Sequence, residues 1–319
     1  MDFLIGFFGA GNVGDDAILK AYLLKNKNEV RILWNSNRSA PNHVEKRKVF
    51  EVLKNIMLAE RIIFPGGGII QDKTSLASLI FYTGIIFIAS LFKKRVYMLS
   101  QSLGPIENKI SKLFIKLLNR VEVLAIRDPI SLSLAKRFRL RSNILKEVSD
   151  ITLTLDFPLP KRERILGINL RYCRESLDVL QDLKMFSEKL REEGYAIRGV
   201  AFDKEDERYL KSCGIKFDEV IYKDFLTTFR SVAQCEIFVA TRFHSAVFCV
   251  KSLTPFVAID YDPKVRGFMR QIGLEEYCFK SLSFNDLLDF YSNKSSVEKQ
   301  ISKKINELES LAYKNFEFV

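Results

Sequence analysis

From Phe3 onward the chain alternates short apolar runs with segments of helical spacing, and that order leaves few folds open. The run Phe3 to Phe8 ends in glycine, and Asp16 to Leu24 follows with helical spacing. Val30 to Trp34 reads as a second strand, Val49 to Leu58 as a helix, and Arg61 to Phe64 as a third strand ended by Pro65-Gly66-Gly67-Gly68. An apolar helix, strand Val96 to Ser100, helix Lys109 to Leu118, strand Val123 to Ile126 and helix Ile130 to Phe138 complete the first half. Such alternation predicts a parallel sheet covered on both faces.

The pattern breaks between Leu155 and Arg164, where two prolines and a run of charges read as a linker. It then restarts. Ile165 to Leu170, Ala196 to Phe202, Ile237 to Ala240 and Pro255 to Asp260 read as strands. Val179 to Glu192, Glu205 to Cys213 and Leu226 to Gln234 read as helices between them. The expectation is an α/β chain of two Rossmann-like domains, residues 1–157 and 165–319. The terminal helix, Ser296 to Ala312, is placed to pack back on the first domain. Open sheets of this kind bind ligands at the carboxyl ends of their strands, so the expected site is the cleft where the two domains meet.

Composition narrows the functions. Hydrophobic residues make up 47% and charged residues 28%, which is globular. The net charge of +11 admits a polyanionic partner. Its densest clusters, Arg137 to Arg141 and Lys161 to Arg164, are read as helix-end and linker charges, so no nucleic-acid partner is expected. Five cysteines without tight spacing read as core residues of a reducing compartment, and two histidines with no Cys-x-x-Cys give no metal site. The N-terminus lacks the pattern of a signal peptide. Leu76 to Phe92 is uncharged and apolar, but shorter than the roughly 20 residues of a usual span. Between two strands, it reads as a buried helix.

Five segments fall where strands end. Gly9 to Asp15 is a glycine turn opening a helix, with Gly11, Asn12 and Asp15 as candidate ligand contacts. It matches G-x-G-x-x-G, but strand two ends at Trp34-Asn35 with no acid to hold a ribose, so a dinucleotide is not favoured. A tight turn and a site for a sugar or its diphosphate carrier both remain open. Gly66, Gly67 and Gly68 suggest a ligand-facing loop, with Gln71 beyond it and Gln101 on the same rim. Arg127 leaves a strand at its carboxyl end, with Asp128 and Asp150 as rival partners. Thr241 to Ser245 sets His244 beside Arg242 where a strand turns into a helix. Lys264, after Tyr261-Asp262-Pro263, and Arg171 add charge to the same edge. His43, in a polar stretch, is read as surface.

Taken in order, seven stretches of the chain resemble the polysaccharide pyruvyltransferase family. They are GFFGAGNVGDDAIL (Gly6 to Leu19), PGGGIIQDKTS (Pro65 to Ser75), QSLGPI (Gln101 to Ile106), AIRDPIS (Ala125 to Ser131), INLR (Ile168 to Arg171), TRFHSAVF (Thr241 to Phe248) and IDYDPKV (Ile259 to Val265). The resemblance implies a GT-B-like fold and transfer of pyruvyl from phosphoenolpyruvate to a sugar, with no further cofactor. It puts functional positions on Arg127, His244 and Lys264, with Phe8 and the triple glycine nearby. Arg171, Arg242, Lys264 and Arg127 would supply the anion pocket, and His244 the proton. It also implies a lipid-linked cell-wall or surface polysaccharide precursor as acceptor, and a cytoplasmic enzyme with peripheral contact at the inner membrane face. Phe8 stands where members often have tyrosine, and Ser149-Asp150-Ile151 where Ala-Asp-Pro is expected. Two other readings compete. One is a GT-B glycosyltransferase using a nucleotide-sugar. The other is a protein that binds anionic glycans without turnover.

Overall fold

A computed structural model of the chain describes residues 1–36, 40–73 and 75–319. They divide into two units, Met1–Leu155 with Leu308–Val319, and Asp156–Glu307.

In the first unit the described strands are β1 (Asp2–Leu4), β2 (Val30–Trp34), β3 (His43–Glu45), β4 (Arg61–Phe64), β5 (Gly67–Ile70), β6 (Arg95–Leu103), β7 (Val123–Ile126) and β8 (Leu145–Glu147). They make one parallel sheet in the order β3-β2-β1-β4-β6-β7-β8, with β5 continuing beside β6. The helices are α1 (Val13–Lys25), α2 (Val49–Leu58), α3 (Leu76–Leu91), α4 (Ser111–Ile115) and α5 (Pro129–Arg137). The chain runs one way along the sheet from β1 to β3 and the other way from β4 to β8. Right-handed crossovers therefore put α1 on one face and α2 to α5 on the other. Val52 and Ile56 of α2, Leu79, Tyr82 and Ile86 of α3, and Ala135 of α5 share one core with the sheet.

Several elements depart from the sequence reading. Helix α1 starts three residues early because the Asn12 side chain accepts the Gly14 and Asp15 amides and caps it. The helix expected over Lys109 to Leu118 is α4 followed by a 3-10 turn, Lys116–Arg120. The triple glycine is not an open loop: Gly66 and Gly67 are buried, and β5 starts at Gly67. His43 is no loose surface residue. It opens β3 and stacks on Trp34 with ring centroids 3.8 Å apart.

Helix α3 is buried on one side only. Leu79, Tyr82, Ile85, Ile86 and Ala89 face the core, and each large apolar side chain so buried stabilises by about 1.5–3 kcal/mol. Ile80, Phe87 and Leu91 are exposed on the other side, where full burial was expected. Among the described residues no helix is long and apolar enough to cross a membrane.

The second unit holds β9 (Glu163–Ile168), β10 (Ala196–Val200), β11 (Glu219–Ile221), β12 (Cys235–Ala240), β13 (Phe256–Ile259) and β14 (Cys278–Phe279), parallel in the order β11-β10-β9-β12-β13-β14. Its helices are α6 (Arg174–Asp178), α7 (Leu180–Glu192), α8 (Lys204–Ser212), α9 (Phe225–Ala233), α10 (Phe243–Lys251), α11 (Pro263–Ile272), α12 (Phe284–Ser292) and α13 (Lys294–Tyr313), the last ending among residues of the first unit. The reversal of direction falls at β9, with β10 on one side and β12 on the other. All five cysteines are free thiols.

Candidate active site

In the first unit, Gly9 (φ +76°) and Gly11 (φ +79°) turn the chain from β1 into α1. Only glycine fits at Gly9, because an added Cβ would lie 2.3 Å from the Trp34 indole. Asn35 ties the turn down: its backbone amide donates to the Phe8 carbonyl at 2.9 Å and its side chain to the same oxygen at 3.0 Å. The Phe8 ring is fully buried against Gly6, so the contact expected of it falls to no exposed atom. Phe7, one residue earlier, is 42% exposed and takes the outward position.

Two carboxylates follow. Asp15 sits by the triple glycine, its Oδ1 3.7 Å from where a Cβ on Gly67 would stand. Gly67 has φ +117°, which again favours glycine. Asp16 accepts the Gly9 amide; burial pushes its pKa up to about 6, against the pull of that hydrogen bond. A carboxyl that changes charge near neutral pH at the mouth of a glycine turn is a proton-transfer candidate that the sequence reading passed over.

The other predicted residues of this unit lie deeper. Gln101 is fully buried, its Nε2 donating to the Leu99 carbonyl at 2.8 Å. Gln71 is half-buried beyond β5. Its neighbour Asp72 accepts the Glu107 and Asn108 amides at 2.9 Å each, joining the two loops. Arg127 is 1% exposed. Its Nη1 donates to Asp150 Oδ2 at 2.5 Å and its Nε to Ser102 Oγ at 2.8 Å. The sequence left Arg127 between an anion in the cleft and a carboxylate neighbour, and the structure gives it the carboxylate.

In the second unit, three adjacent strands end together. Arg171 follows β9 and lies over the Tyr261 ring, 5.5 Å from its centroid. Arg242 follows β12 and caps α10 by position, without a side-chain cap hydrogen bond. Lys264 stands in the first turn of α11, after β13, with its Nζ 3.2 Å from Asp262. Asp262 and Pro263 start that helix in the usual way, since the carboxylate accepts the Lys264 amide and proline suits the first helical position.

Asn169 organises this edge, and nothing in the sequence reading singled it out. It is fully buried; its Oδ1 accepts the Arg242 amide at 2.8 Å, and its Nδ2 donates to the Val200 carbonyl at 2.9 Å. The Thr241 hydroxyl donates to its backbone carbonyl at 2.9 Å. The Arg242 guanidinium points the other way, into Asp206 and Asp203. Burial works against its charge, but those carboxylates hold its pKa above the ordinary value. It is thus a brace for the β12–α10 turn whose charge is already neutralised. His244, the second residue of α10, is half-buried beside Phe243, ring centroids 5.3 Å apart and edge to face, and its Nε2 is out of contact with solvent.

The arrangement suits an anion. Helix α10 has nine residues, its first turn has no side-chain cap, and it carries a histidine. Helix N-termini favour negative charge, and in strand order Arg171 stands on one side and Lys264, paired with Asp262, on the other. One surface pocket lies elsewhere. Lined by Tyr22, Lys25, Asn28 and Arg61, it lies at the amino ends of β1, β2 and β4, away from every strand end described above.

Known proteins share the family and the fold. The fold resembles UDP-GlcNAc 2-epimerases: that of Neisseria meningitidis bound to UDP-GlcNAc (TM-score 0.61, 10% identity, 99% of each chain covered) and a putative one from Listeria monocytogenes (TM-score 0.62, 9% identity, 94% of this chain and 89% of that one). At such identity the likeness concerns the fold, an α/β architecture of the GT-B-like kind. Among curated sequences, the amylovoran biosynthesis protein AmsJ of Erwinia amylovora is 24% identical over 276 residues, covering 69% of this chain. The chain spans only 63% of that relative's length. The family model described as polysaccharide pyruvyl transferase matches residues 12–263, a stretch that runs from the cap of α1 to the start of α11 and takes in Arg127, Arg171, Arg242 and His244. By that match the chain belongs to the polysaccharide pyruvyl transferase family.

Proposed function

We propose that the protein transfers the pyruvyl group of phosphoenolpyruvate to a sugar of a polysaccharide precursor and closes it into a cyclic ketal. The observation that carries this reading is the uncapped first turn of α10, which bears His244 and is flanked in strand order by Arg171 and Lys264. Phosphoenolpyruvate brings a carboxylate and a phosphate, and this edge sets an imidazole, the Arg171 guanidinium and the Lys264 ammonium, shared with Asp262, at a helix N-terminus that favours anions. His244 in its charged form gives a proton to the methylene carbon, which becomes a methyl group. The resulting oxocarbenium centre is captured by a sugar hydroxyl. Phosphate leaves with the bonding pair of the C–O bond, and a second hydroxyl of the same sugar adds. Of the two hydroxyl protons released, one recharges His244 and the other leaves on phosphate. Histidine suits this cycling near neutral pH, and the cations stabilise the departing phosphate.

Arg242 and Arg127 enter this reading as positioning residues, since each guanidinium is held by carboxylates. The glycine turn of the first unit, with Gly11, Asn12, Asp15 and the exposed Phe7, is read as the acceptor side. That AmsJ is an amylovoran biosynthesis protein supports a polysaccharide acceptor. We read that acceptor as a lipid-linked cell-wall or surface precursor met at the inner face of the membrane.

The test is phosphate release from phosphoenolpyruvate with a sugar acceptor. His244→Ala is expected to lower turnover by about 10²- to 10⁴-fold with the melting temperature unchanged. Near-wild-type turnover in that variant removes the proposed proton donor. Calorimetry separates the runner-up: the proposal expects binding of phosphoenolpyruvate, whereas a glycosyltransferase would bind a nucleotide-sugar instead.

A further inference from the structure

The outer side of the α3–α4 layer combines two properties that a solvated surface rarely has together. It is apolar: Leu91 is 62% exposed, Leu113 66%, and Phe92 45%. It is also basic. From Lys73 to Val121 the sequence carries eight lysines and arginines and one carboxylate, Glu107, so this stretch supplies +7 of the chain's net +11. Lys93, Lys112 and Lys116 are all exposed beside the apolar residues. The two helical segments form one continuous face. Arg120, closing the turn after α4, donates to Ser90 Oγ of α3 at 3.0 Å and lies over the Phe87 ring, 5.3 Å from its centroid.

We propose that this face docks on the surface of an anionic lipid bilayer. Helix α3 has 16 residues and its inner side is committed to the protein core, so it lies in the interface and does not span it. The exposed leucines and phenylalanine enter the acyl boundary, while the lysines reach headgroup phosphates with their stems laid along the apolar surface. Charge decides the occupant. A second copy of the chain docking by the same patch would set lysine against lysine across a two-fold axis, whereas an anionic bilayer offers both an apolar layer and the opposite charge. Exposed apolar side chains set among cations have no other complement as simple. The inference deepens the reading of a lipid-linked acceptor and rests on it for its purpose, but bilayer binding is measured without any turnover.

The experiment is co-sedimentation of the full chain with vesicles of phosphatidylcholine alone or mixed with phosphatidylglycerol, at low and raised salt. The expected result is binding to the mixed vesicles, little to phosphatidylcholine, and weakening as salt screens the lysines. Leu91→Ser with Leu113→Ser, and separately Lys93→Glu with Lys112→Glu and Lys116→Glu, should each weaken partition about tenfold or more with circular dichroism unchanged. All five positions are exposed, so the fold does not depend on them. Equal sedimentation of variants and wild type overturns the proposal. So does absence of binding to anionic vesicles, or self-association that the same substitutions abolish while vesicles bind nothing. Transfer to a short soluble acceptor should survive in these variants, and vesicle binding should survive in His244→Ala, so either reading can fail without the other.

Discussion

Replacing Arg127 by alanine should destabilise the first unit strongly before it informs on chemistry. The guanidinium and the Asp150 carboxylate are each 1% exposed and 2.5 Å apart. Asp150 also accepts the Thr152 amide at 2.9 Å and so holds the turn Ile151–Thr154. Removing one member of such a pair leaves a buried charge uncompensated, which costs about 3–5 kcal/mol. Domains are stable by only about 5–15 kcal/mol, so the loss is a large share of the total. The resemblance puts a functional position on Arg127; its burial against Asp150 gives it a structural role first. The companion variant Arg127→Met with Asp150→Asn removes both charges and keeps an acceptor for Thr152, and should recover at least about half the loss. Urea denaturation followed by tryptophan fluorescence measures both. Trp34 is the only tryptophan and lies in the first unit, so the signal reports that unit even if the second unfolds separately. An unchanged midpoint for Arg127→Ala, with turnover lost, would refute the reasoning and return Arg127 to the substrate.

Other outcomes follow from the same geometry. Asp16 has a folded pKa of about 6 against an ordinary 3.8, so the folded state holds its proton more tightly; its contribution to stability is full below 3.8 and is lost as pH rises through 6. Asp16→Asn should therefore raise stability by about 1–3 kcal/mol at pH 8 and change little at pH 4, as read from denaturation midpoints; the reverse order would show that the carboxylate is held charged. Gly9→Ala meets both a left-handed backbone and the Trp34 ring, and should destabilise by about 2–4 kcal/mol with an altered Trp34 emission. Unchanged emission and midpoint would mean that the turn is not pressed against the indole.

Much of the fold was legible because its signals are local. Apolar runs, helical spacing and glycine or proline stops are properties of neighbouring residues, so the alternation and the break after Leu155 could be read directly. Four strands that the sequence did not show, β3, β8, β11 and β14, have two or three residues each and show no periodicity; they exist because a neighbouring strand offers its edge. The missed capping at Asn12 was legible in principle, since asparagine before a helix is a favoured cap.

The sequence by itself determined the alternating α/β order, the family to which the chain belongs, and which cations, glycines and histidine stand at strand ends. Only the tertiary structure decided how deeply each of those groups is buried and which carboxylates they meet. It turned Phe8 inward and Phe7 outward, closed Arg127 on Asp150 and Arg242 on Asp203 and Asp206, and left Arg171, His244 and Lys264 half-buried at neighbouring strand ends. The reason is physical. The partner that neutralises a buried charge lies 23 to 39 residues away along the chain, and folding brings it within hydrogen-bond reach. Spacing along a sequence reveals where a side chain can stand; burial and the nearest opposite charge settle what it is left to do.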